Sequence, residues 1–284
     1  MKLYPCGKFL LSVPDDHRLP AIQGIDVLYD RGYHDILVAI AEWKPASTFV
    51  DVGANVGDTA AFFRTHVANP IVCVEGGETF LTYLRDNATQ IDPNGIAIIE
   101  AFVGTDTANN NALEYQENTG TGYIRPSNGK SQISFIEVKE ILNRACDFGD
   151  GSVALFKTDT DGMDALIIQS ALEAGMNNPM FFECDYMITQ SMGEKTVWAR
   201  IFDRLEAQQW SAVIFDNHGR PILCLDELRH TIIADIQGWI HLQHKVGVVH
   251  IHYLDLFVFP PSARSAYEKA AAAIRSKLLA PYQY

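Results

Sequence analysis

A glycine-containing loop directly after a short apolar segment is the part of this chain whose residues best fit ligand chemistry. The segment reads Thr-Phe-Val-Asp-Val over residues 48–52 and is followed by Gly53, Gly57 and Asp58. An apolar, β-branched run that meets glycine and then an amphipathic stretch predicts a buried strand that turns sharply into a helix. Glycine lets the backbone approach a ligand closely because it has no Cβ, and the helix start offers free N–H groups to an anionic group.

Two classes of cofactor use such a turn. Enzymes that bind a dinucleotide have the pattern Gly-x-Gly-x-x-Gly, with the pyrophosphate at the helix start. This chain reads Gly-Ala-Asn-Val-Gly-Asp over residues 53–58, so the middle glycine is absent and Asp58 lies where a phosphate would bind. A carboxylate there repels a pyrophosphate but attracts an ammonium group. The loop therefore favours S-adenosylmethionine (SAM), which carries an ammonium, a carboxylate and a sulfonium, over NAD.

Acidic residues end the other predicted strands as well. The apolar run 71–74 leads into Glu75, where a carboxylate can accept hydrogen bonds from both hydroxyls of a ribose. A later apolar run leads to Asp159 and Asp161, which are followed by Gly162. Because the carboxyl ends of parallel strands lie at one edge of a sheet, these acids predict an acidic crevice for a cationic cofactor or a metal. The acids that close successive strands are Asp51, Glu75, Asp159, Glu183 and Asp216.

Alternating strands and helices must hold these side chains in place. Strands separated by helical stretches of about 10–15 residues indicate parallel βαβ units. We expect an N-terminal cap over residues 1–46, a core domain over 47–260 and a C-terminal helix within 261–284. The core carries an insertion at about 105–150, rich in Asn, Thr, Gly and Ser, which suggests a lid over the site.

The composition limits the partners of this chain. Its formal net charge of −13 argues against nucleic acid and against docking on an anionic membrane, because both need basic surface. The cysteines are scattered and show no Cys-x-x-Cys spacing, as expected of reduced thiols in a cytosolic protein. Apolar runs are too short for a signal peptide or a membrane-spanning helix. We therefore expect a soluble, cytoplasmic protein that acts on a small molecule or a glycan.

Three blocks of the sequence resemble the FkbM family of SAM-dependent methyltransferases. The first is Phe-Val-Asp-Val-Gly-Ala-Asn-Val-Gly-Asp over residues 49–58. The second is Val-Glu at 74–75 with Leu-Arg-Asp-Asn at 84–87, and the third is Lys-Thr-Asp-Thr-Asp-Gly-Met-Asp over 157–164. The resemblance implies a Rossmann-like class I methyltransferase, an α/β fold in which a seven-stranded, mostly parallel sheet has helices on both faces.

The resemblance covers roughly residues 48–259 and is not uniform. The family's third block usually reads Lys-Ile-Asp-Val-Glu-Gly-x-Glu, so Asp161 and Asp164 replace glutamates in this chain. Phe-Glu-Cys-Asp at 182–185 and Phe-Asp-Asn-His-Gly at 215–219 are similar to segments of a branch of the family found in polysaccharide clusters. A sugar, a polysaccharide or a glycosylated small molecule is therefore the acceptor that the resemblance implies.

The resemblance also implies where SAM would bind. The loop after the first core strand would line its methionine end, the acid after the second strand would hold its ribose, and the segment around residue 103 would flank its adenine. The residues assigned to the cofactor in this way are Asp51, Gly53, Ala54, Asn55, Gly57, Asp58, Glu75, Gly76, Val103, Gly104 and Asp159.

Methylation of a sugar hydroxyl requires help in removing a proton from a weakly acidic group. Two mechanisms stay open from the sequence. In the first, which we favour, a carboxylate or a histidine takes the proton directly. In the second, a Mg²⁺ ion held by carboxylates acidifies the hydroxyl, with Asp161, Asp185 and Asp216 as its ligands. The candidate catalytic residues are Asp161, Asp185, Asp216 and His218.

Two other functions also remain open. A nucleotide-linked oxidoreductase would use a similar glycine turn, although the absent middle glycine disfavours it. A methyltransferase fold without catalysis could serve as a binding protein. The sequence does not determine the oligomeric state, and a homo-oligomer is one of the states that it allows.

Overall fold

The computed structural model describes residues 1–26, 29, 31–104, 113–118, 120–127, 133–191 and 196–279. Parts of the predicted insertion and the end of the predicted C-terminal helical segment lie outside these ranges. Within them, every helix is too short or too polar to cross a lipid bilayer.

The first part of the chain combines a strand pair with two helices. Strands β1 (Lys2–Cys6) and β2 (Phe9–Val13) form an antiparallel hairpin. Helix α1 (Leu19–Ile25) follows, and helix α2 (His34–Trp43) precedes the central sheet. The sequence pattern predicted a helix close to α2 but not the hairpin, whose first strand contains a proline, Pro5, that disfavours a strand.

The glycine turn lies in a strand–helix–strand unit, as predicted. The elements are β3 (Thr48–Val52), α3 (Asp58–His66), β4 (Ile71–Glu75), α4 (Glu78–Ile91) and β5 (Ile96–Glu100). Asn87 of α4 fixes the N-terminal hairpin to this unit: its amide accepts from the Ser12 N–H at 2.8 Å and donates to the Ser12 carbonyl at 2.9 Å. The same amide donates to the Val56 carbonyl at 2.7 Å, so the hairpin and the glycine turn share one buried anchor.

The described part of the predicted insertion contains short strands and a helix. Strand β6 (Phe102–Gly104) pairs with β9 (Phe135–Glu137), and β7 (Leu113–Asn118) forms an antiparallel hairpin with β8 (Thr121–Pro126). Helix α5 (Val138–Phe148) leads back to the central sheet.

The second half of the chain continues the alternation of strands and helices. Its elements are β10 (Val153–Thr158), α6 (Asp164–Glu173), β11 (Met180–Cys184), α7 (Tyr186–Ser191), α8 (Val197–Ala207), β12 (Ser211–Asp216), β13 (Pro221–Leu225), α9 (His230–Val246), β14 (Leu254–Phe259) and α10 (Arg264–Leu279).

The central sheet has eight strands in the order β13-β12-β14-β11-β10-β3-β4-β5. The run from β11 to β5 is parallel, whereas β14 is antiparallel to both of its neighbours and β13 is antiparallel to β12. The chain moves outward from β3 to β5 and then returns to β10, so the strand order reverses between β3 and β10. In open α/β sheets, ligands bind at such a switch point, outside the carboxyl ends of the strands.

The prediction of seven strands is wrong by one. The additional strand is β13, a partly exposed edge strand that begins with Pro221. Proline has no backbone N–H to donate to a neighbouring strand. A short apolar run that begins with proline is therefore not readily predicted as a strand. The prediction of helices on both faces is confirmed, because α5, α6, α8 and α9 contribute to one buried apolar cluster and α2, α3, α4 and α10 to another.

Asp51 and Lys157 form a buried ion pair at the centre of the sheet. They are register neighbours on β3 and β10, and the Lys157 Nζ lies 2.8 Å from the Asp51 Oδ1, with side chains 7% and 0% exposed. Burial opposes the charge of Lys157, but the carboxylates of Asp51 and Asp159 outweigh it and raise its pKa. Burial raises the pKa of Asp51, and Lys157 counteracts this by stabilising the carboxylate.

Gly53 stands where the turn after β3 passes the end of β10. Its φ is +80°, in the left-handed region, and a Cβ built on it would lie 1.9 Å from the carbonyl oxygen of Asp159. Only glycine allows the two strand ends to approach so closely.

Replacement of Gly53 by alanine should lower the free energy of unfolding by about 3 kcal/mol or more, because backbone strain and a steric clash add up. Gly175→Ala is the matched control, since Gly175 has a φ of +87° and nothing within 4 Å of a Cβ. It should lose only about 1 kcal/mol. Urea unfolding of both variants measures the difference, and equal losses would contradict a tight approach of the two strands.

Lys157→Met should lower the free energy of unfolding by about 3–5 kcal/mol, because it leaves the Asp51 carboxylate buried without a counter-ion. The double variant Asp51→Asn/Lys157→Met should recover most of this loss, since no charge is then left unpaired. A double-mutant cycle by urea unfolding tests the pair, and additive losses would show that the two groups do not interact.

Candidate active site

Two cavities share a wall at the carboxyl ends of β3, β4, β10 and β11. The shared wall consists of Gly53, Asn55, Asp159 and Asp161. We name each cavity after the glutamate that lines it. The Glu75 cavity, about 60 Å³, also has walls of Phe80, Phe102, Val103, Tyr115 and Ile124. The Glu183 cavity, about 320 Å³, also has walls of His17, Arg18, Leu19, Tyr29, Asp58, Thr121 and Tyr253.

The turn after β3 is held by the end of β4. The N–H groups of Gly53 and Ala54 both donate to the Val74 carbonyl, at 2.9 and 3.1 Å. Asn55 and Gly57 have positive φ values of 49° and 86°, so the chain winds tightly before α3 begins at Asp58. This winding explains the residue types, because Asn and Gly are the residues that most readily adopt this conformation.

The Glu75 carboxylate is fixed by three backbone donors. It accepts hydrogen bonds from the N–H groups of Asn55 at 2.8 Å, Gly76 at 2.9 Å and Gly77 at 2.7 Å. Burial raises the pKa of Glu75, and these three hydrogen bonds oppose the rise by stabilising the charged form. A carboxylate has about four lone-pair sites, so Glu75 can accept a further hydrogen bond from a ligand in the cavity.

Asn55 links the turn to two distant parts of the chain. Its amide oxygen lies 3.2 Å from the His17 Nε2, and its amide nitrogen donates to the Gly120 carbonyl at 3.1 Å. The Leu19 N–H donates to the His17 Nδ1 at 3.2 Å, so in this arrangement the Nε2 carries the proton that bonds to Asn55. The N-terminal segment and the β7–β8 hairpin thus both cover the glycine turn.

Asp161 is the carboxyl group whose surroundings best fit proton transfer. Its φ of 50° turns the chain after β10, and its carboxylate accepts a hydrogen bond from the Thr121 hydroxyl. Burial and the neighbouring Asp159 raise the pKa of Asp161 to about 7. A group that titrates near neutral pH can both accept and release a proton under ordinary conditions.

Asp159 and Asp164 have different environments, although both flank Asp161. The side chain of Asp159 is 43% exposed and lies 3.5 Å from the Lys157 ammonium. Asp164 is buried in α6 and accepts hydrogen bonds from the hydroxyls of Thr158 at 2.9 Å and Thr160 at 3.0 Å. Burial raises its pKa to about 6, partly offset by these bonds. Asp164 therefore holds the loop in shape, whereas Asp159 faces the cavities.

Seven of the residues assigned to the cofactor line at least one of the two cavities. Those that line a cavity are Gly53, Asn55, Asp58, Glu75, Gly76, Val103 and Asp159. Asp51, Ala54, Gly57 and Gly104 do not line either cavity, and Asp51 acts through Lys157.

Three of the predicted catalytic residues are not brought to either cavity. Asp185 immediately precedes α7, and its carboxylate accepts hydrogen bonds from the N–H groups of Met187 and Ile188 in the first turn, at 2.7 and 2.9 Å. Asp216 accepts from the N–H of His218 and from both the N–H and the Nε of Arg220. His218 contacts the Asp26 carboxylate through Nδ1.

The predicted Mg²⁺ ligands Asp161, Asp185 and Asp216 do not converge. Among the residues that the structure describes, no three His, Cys, Asp or Glu side chains come together in a way that could hold a metal ion.

The sequence pattern did not assign Tyr115, Thr121 and Tyr253 to the site, and it placed Glu183 in the acidic crevice without giving it a role. Tyr115 and Thr121 lie in the β7–β8 hairpin, whose sequence has no recognisable motif. The Tyr115 hydroxyl is buried beside the Glu75 cavity and makes no hydrogen bond of normal geometry within the described part of the chain. Burial raises the pKa of this hydroxyl, and Glu117 lies close enough to add to the rise. An unpaired buried donor is uncommon and indicates a place where a polar ligand atom would fit.

The chain matches no protein-family model and no curated protein. An O-methyltransferase from Bacillus cereus, solved in complex with SAH, is 9% identical, covers 87% of this chain and 92% of its own, and has a TM-score of 0.42. TomG from Streptomyces achromogenes, an O-methyltransferase involved in tomaymycin synthesis and solved with SAM, is 8% identical over 88% of this chain and 92% of its own, also at 0.42. An rRNA methylase from Streptococcus thermophilus is 9% identical over 82% of this chain and 96% of its own, at 0.42. Similarity at this level assigns no reaction to this chain, and membership of the FkbM family stays a prediction.

Proposed function

We propose that this protein is a SAM-dependent methyltransferase that transfers a methyl group to an oxygen atom. The observation that carries the proposal is the meeting of Glu75, Asp159 and Asp161 around a glycine turn at the switch point of the sheet. Such a crevice favours a cation over an anion, because each carboxylate stabilises a positive charge nearby. SAM combines a cationic end with a ribose, and both find complementary groups here.

The residues of the crevice fit SAM at three places. Glu75 would accept a hydrogen bond from the ribose, at the position where dinucleotide and SAM folds carry an acid. Phe102 and Val103 offer an apolar wall for the adenine. Asn55 and Asp159 would contact the methionine end, where the ammonium group needs a counter-ion. The unpaired Tyr115 hydroxyl supplies a further donor beside the Glu75 end.

Asp161 is the proposed general base. When bound, SAM supplies a methyl group on a sulfonium, which an oxygen nucleophile can attack. Asp161 lines both cavities, so a hydroxyl that sits in the Glu183 cavity can reach its carboxylate while facing the cofactor. The pKa of about 7 allows Asp161 to take the proton near neutral pH, and Thr121 holds the carboxylate in orientation.

The acceptor is proposed to be a hydroxyl of a sugar or of a glycosylated molecule. This part of the proposal rests on the resemblance of residues 159–162, 182–185 and 215–219 to a branch of the FkbM family found in polysaccharide clusters. The Glu183 cavity supports it, because its polar walls and its volume of about 320 Å³ suit a small hydroxylated molecule.

Calorimetry should detect binding of SAM and of S-adenosylhomocysteine but not of NAD. Tyr115→Phe should weaken SAM binding about 5- to 10-fold, the effect of one lost hydrogen bond, without lowering the melting temperature. Tyr123→Phe is the control from the same hairpin, since its hydroxyl bonds to Gln116 and not to a cavity. Tighter binding of NAD than of SAM would replace the proposal with the oxidoreductase alternative.

Methyl transfer should increase as the pH rises from 6 to 8, because only the deprotonated form of Asp161 can act as the base and its pKa is about 7. Asp161→Asn should lower kcat at least 100-fold and abolish this pH dependence, while the Kd for SAM changes only a few-fold. Asp185→Asn, which alters a carboxyl outside the cavities, should retain most of the activity. A larger loss in Asp185→Asn than in Asp161→Asn would reassign the base.

A further inference from the structure

Glu183 has no role in the function described above, yet it is placed as a ligand-binding group. It lies near the end of β11, its residue is 7% exposed, and it lines the Glu183 cavity but not the Glu75 cavity. Among the residues that the structure describes, none donates a hydrogen bond to its carboxyl group and none forms an ion pair with it. Its carboxyl oxygens are not among the fully enclosed, unpaired polar atoms of the described residues, so they are accessible from the Glu183 cavity and can contact a ligand there.

The surroundings of Glu183 within the protein are acidic. Asp255 is its register neighbour on β14, and Asp159, Asp161 and Asp164 lie close enough to act on it electrostatically. The Asp255 carboxylate already accepts a hydrogen bond from the Tyr33 hydroxyl at 2.6 Å. Lys157, the buried cation nearest to these acids, is engaged by Asp51 and Asp159. The residues within the described ranges therefore give Glu183 negative neighbours and no counter-ion.

The other walls of the cavity do not change this balance. Arg18 and His17 come from the N-terminal segment, and Arg18 is exposed to solvent. Tyr253 and Tyr29 add aromatic rings, whose faces attract cations. Asp58 contributes a further carboxyl group. An anionic molecule would meet four carboxyl groups and one guanidinium group in this space, whereas a cationic one would find several counter-ions and the side chains of two tyrosines.

We propose that the acceptor carries a protonated amine, which Glu183 binds while Asp161 receives the hydroxyl to be methylated. The chemical class is an amino sugar or a related hydroxylated amine. The inference rests on the proposed function. It assigns some of the carboxyl groups to SAM and others to the acceptor. Asp159 and Asp161 lie in the wall shared with the cofactor's cavity, whereas Glu183 belongs to the acceptor's cavity alone. Burial raises the pKa of Glu183, so a bound ammonium group would favour its ionised form and release a proton.

The test compares four monosaccharides that differ in charge: glucosamine, glucose, N-acetylglucosamine and glucuronic acid. Saturation-transfer NMR on the 284-residue chain with S-adenosylhomocysteine should give the strongest signal for glucosamine, with a Kd at least tenfold lower than for N-acetylglucosamine. Glu183→Gln should abolish this preference while changing the Kd for S-adenosylhomocysteine less than twofold. Glu173→Gln, which removes the same charge from the exposed face of α6, should behave as the wild type.

Folding of the variant is checked separately. Ionisation of a buried carboxyl with a raised pKa destabilises the folded state as the pH rises. Glu183→Gln removes this effect and should therefore melt at the same or a higher temperature than the wild type at pH 8.

Three outcomes would overturn the assignment. Glucosamine could give no signal or one no stronger than N-acetylglucosamine; the preference for glucosamine could survive in Glu183→Gln; or Glu183→Gln could lose affinity for S-adenosylhomocysteine, which would place Glu183 at the cofactor. Failure of the wild type to bind S-adenosylhomocysteine at all is a different result, because it would contradict the proposed methyltransferase itself.

Discussion

The ion pair between Lys157 and Asp51 is the interaction on which the crevice depends. It joins β3 to β10, the two strands between which the order of the sheet reverses, and it does so in the buried centre of the sheet. Both loops of the crevice start directly beyond it, at Gly53 and at Asp159. A displacement of either strand would therefore open the wall that the two cavities share. The same ammonium group offsets part of the negative charge that gathers at this edge.

The crowding of buried carboxyl groups at this edge of the sheet raises their pKa values. Asp161, Asp164 and Glu183 are buried close to one another, and burial raises the pKa of each. Their ionisation is unfavourable, so the folded state loses stability as the pH rises through the raised pKa values of these groups, about 6 for Asp164 and about 7 for Asp161. A cation in the crevice relieves that repulsion. The same residues therefore determine both the affinity for a positively charged ligand and the stability of the folded state at neutral pH.

The sequence predicted the unit from β3 to β5 well, because strong apolar runs, glycine and a helix start follow one another there. It also predicted that Glu75 and Asp159 would share a crevice, which they do. The sequence did not show which of the other strand-ending acids lie too far along the sheet to reach the crevice. Asp216 ends β12, three strands from β10, which corresponds to roughly 14 Å at the usual strand spacing. Strand-terminal acids look alike in sequence, and only the strand order distinguishes near from far.

The Asn55 side chain forms hydrogen bonds with His17 and with the Gly120 carbonyl, two residues that lie far apart along the chain. The contacts that enclose the crevice are therefore of high contact order, and such contacts form late because long loops must close first. A chain in which only β3, β4 and β5 had formed, three of the eight strands of the central sheet, would possess the glycine turn without its cover. If the crevice binds the proposed cofactor, that binding should report on the completion of folding more directly than the secondary-structure content does.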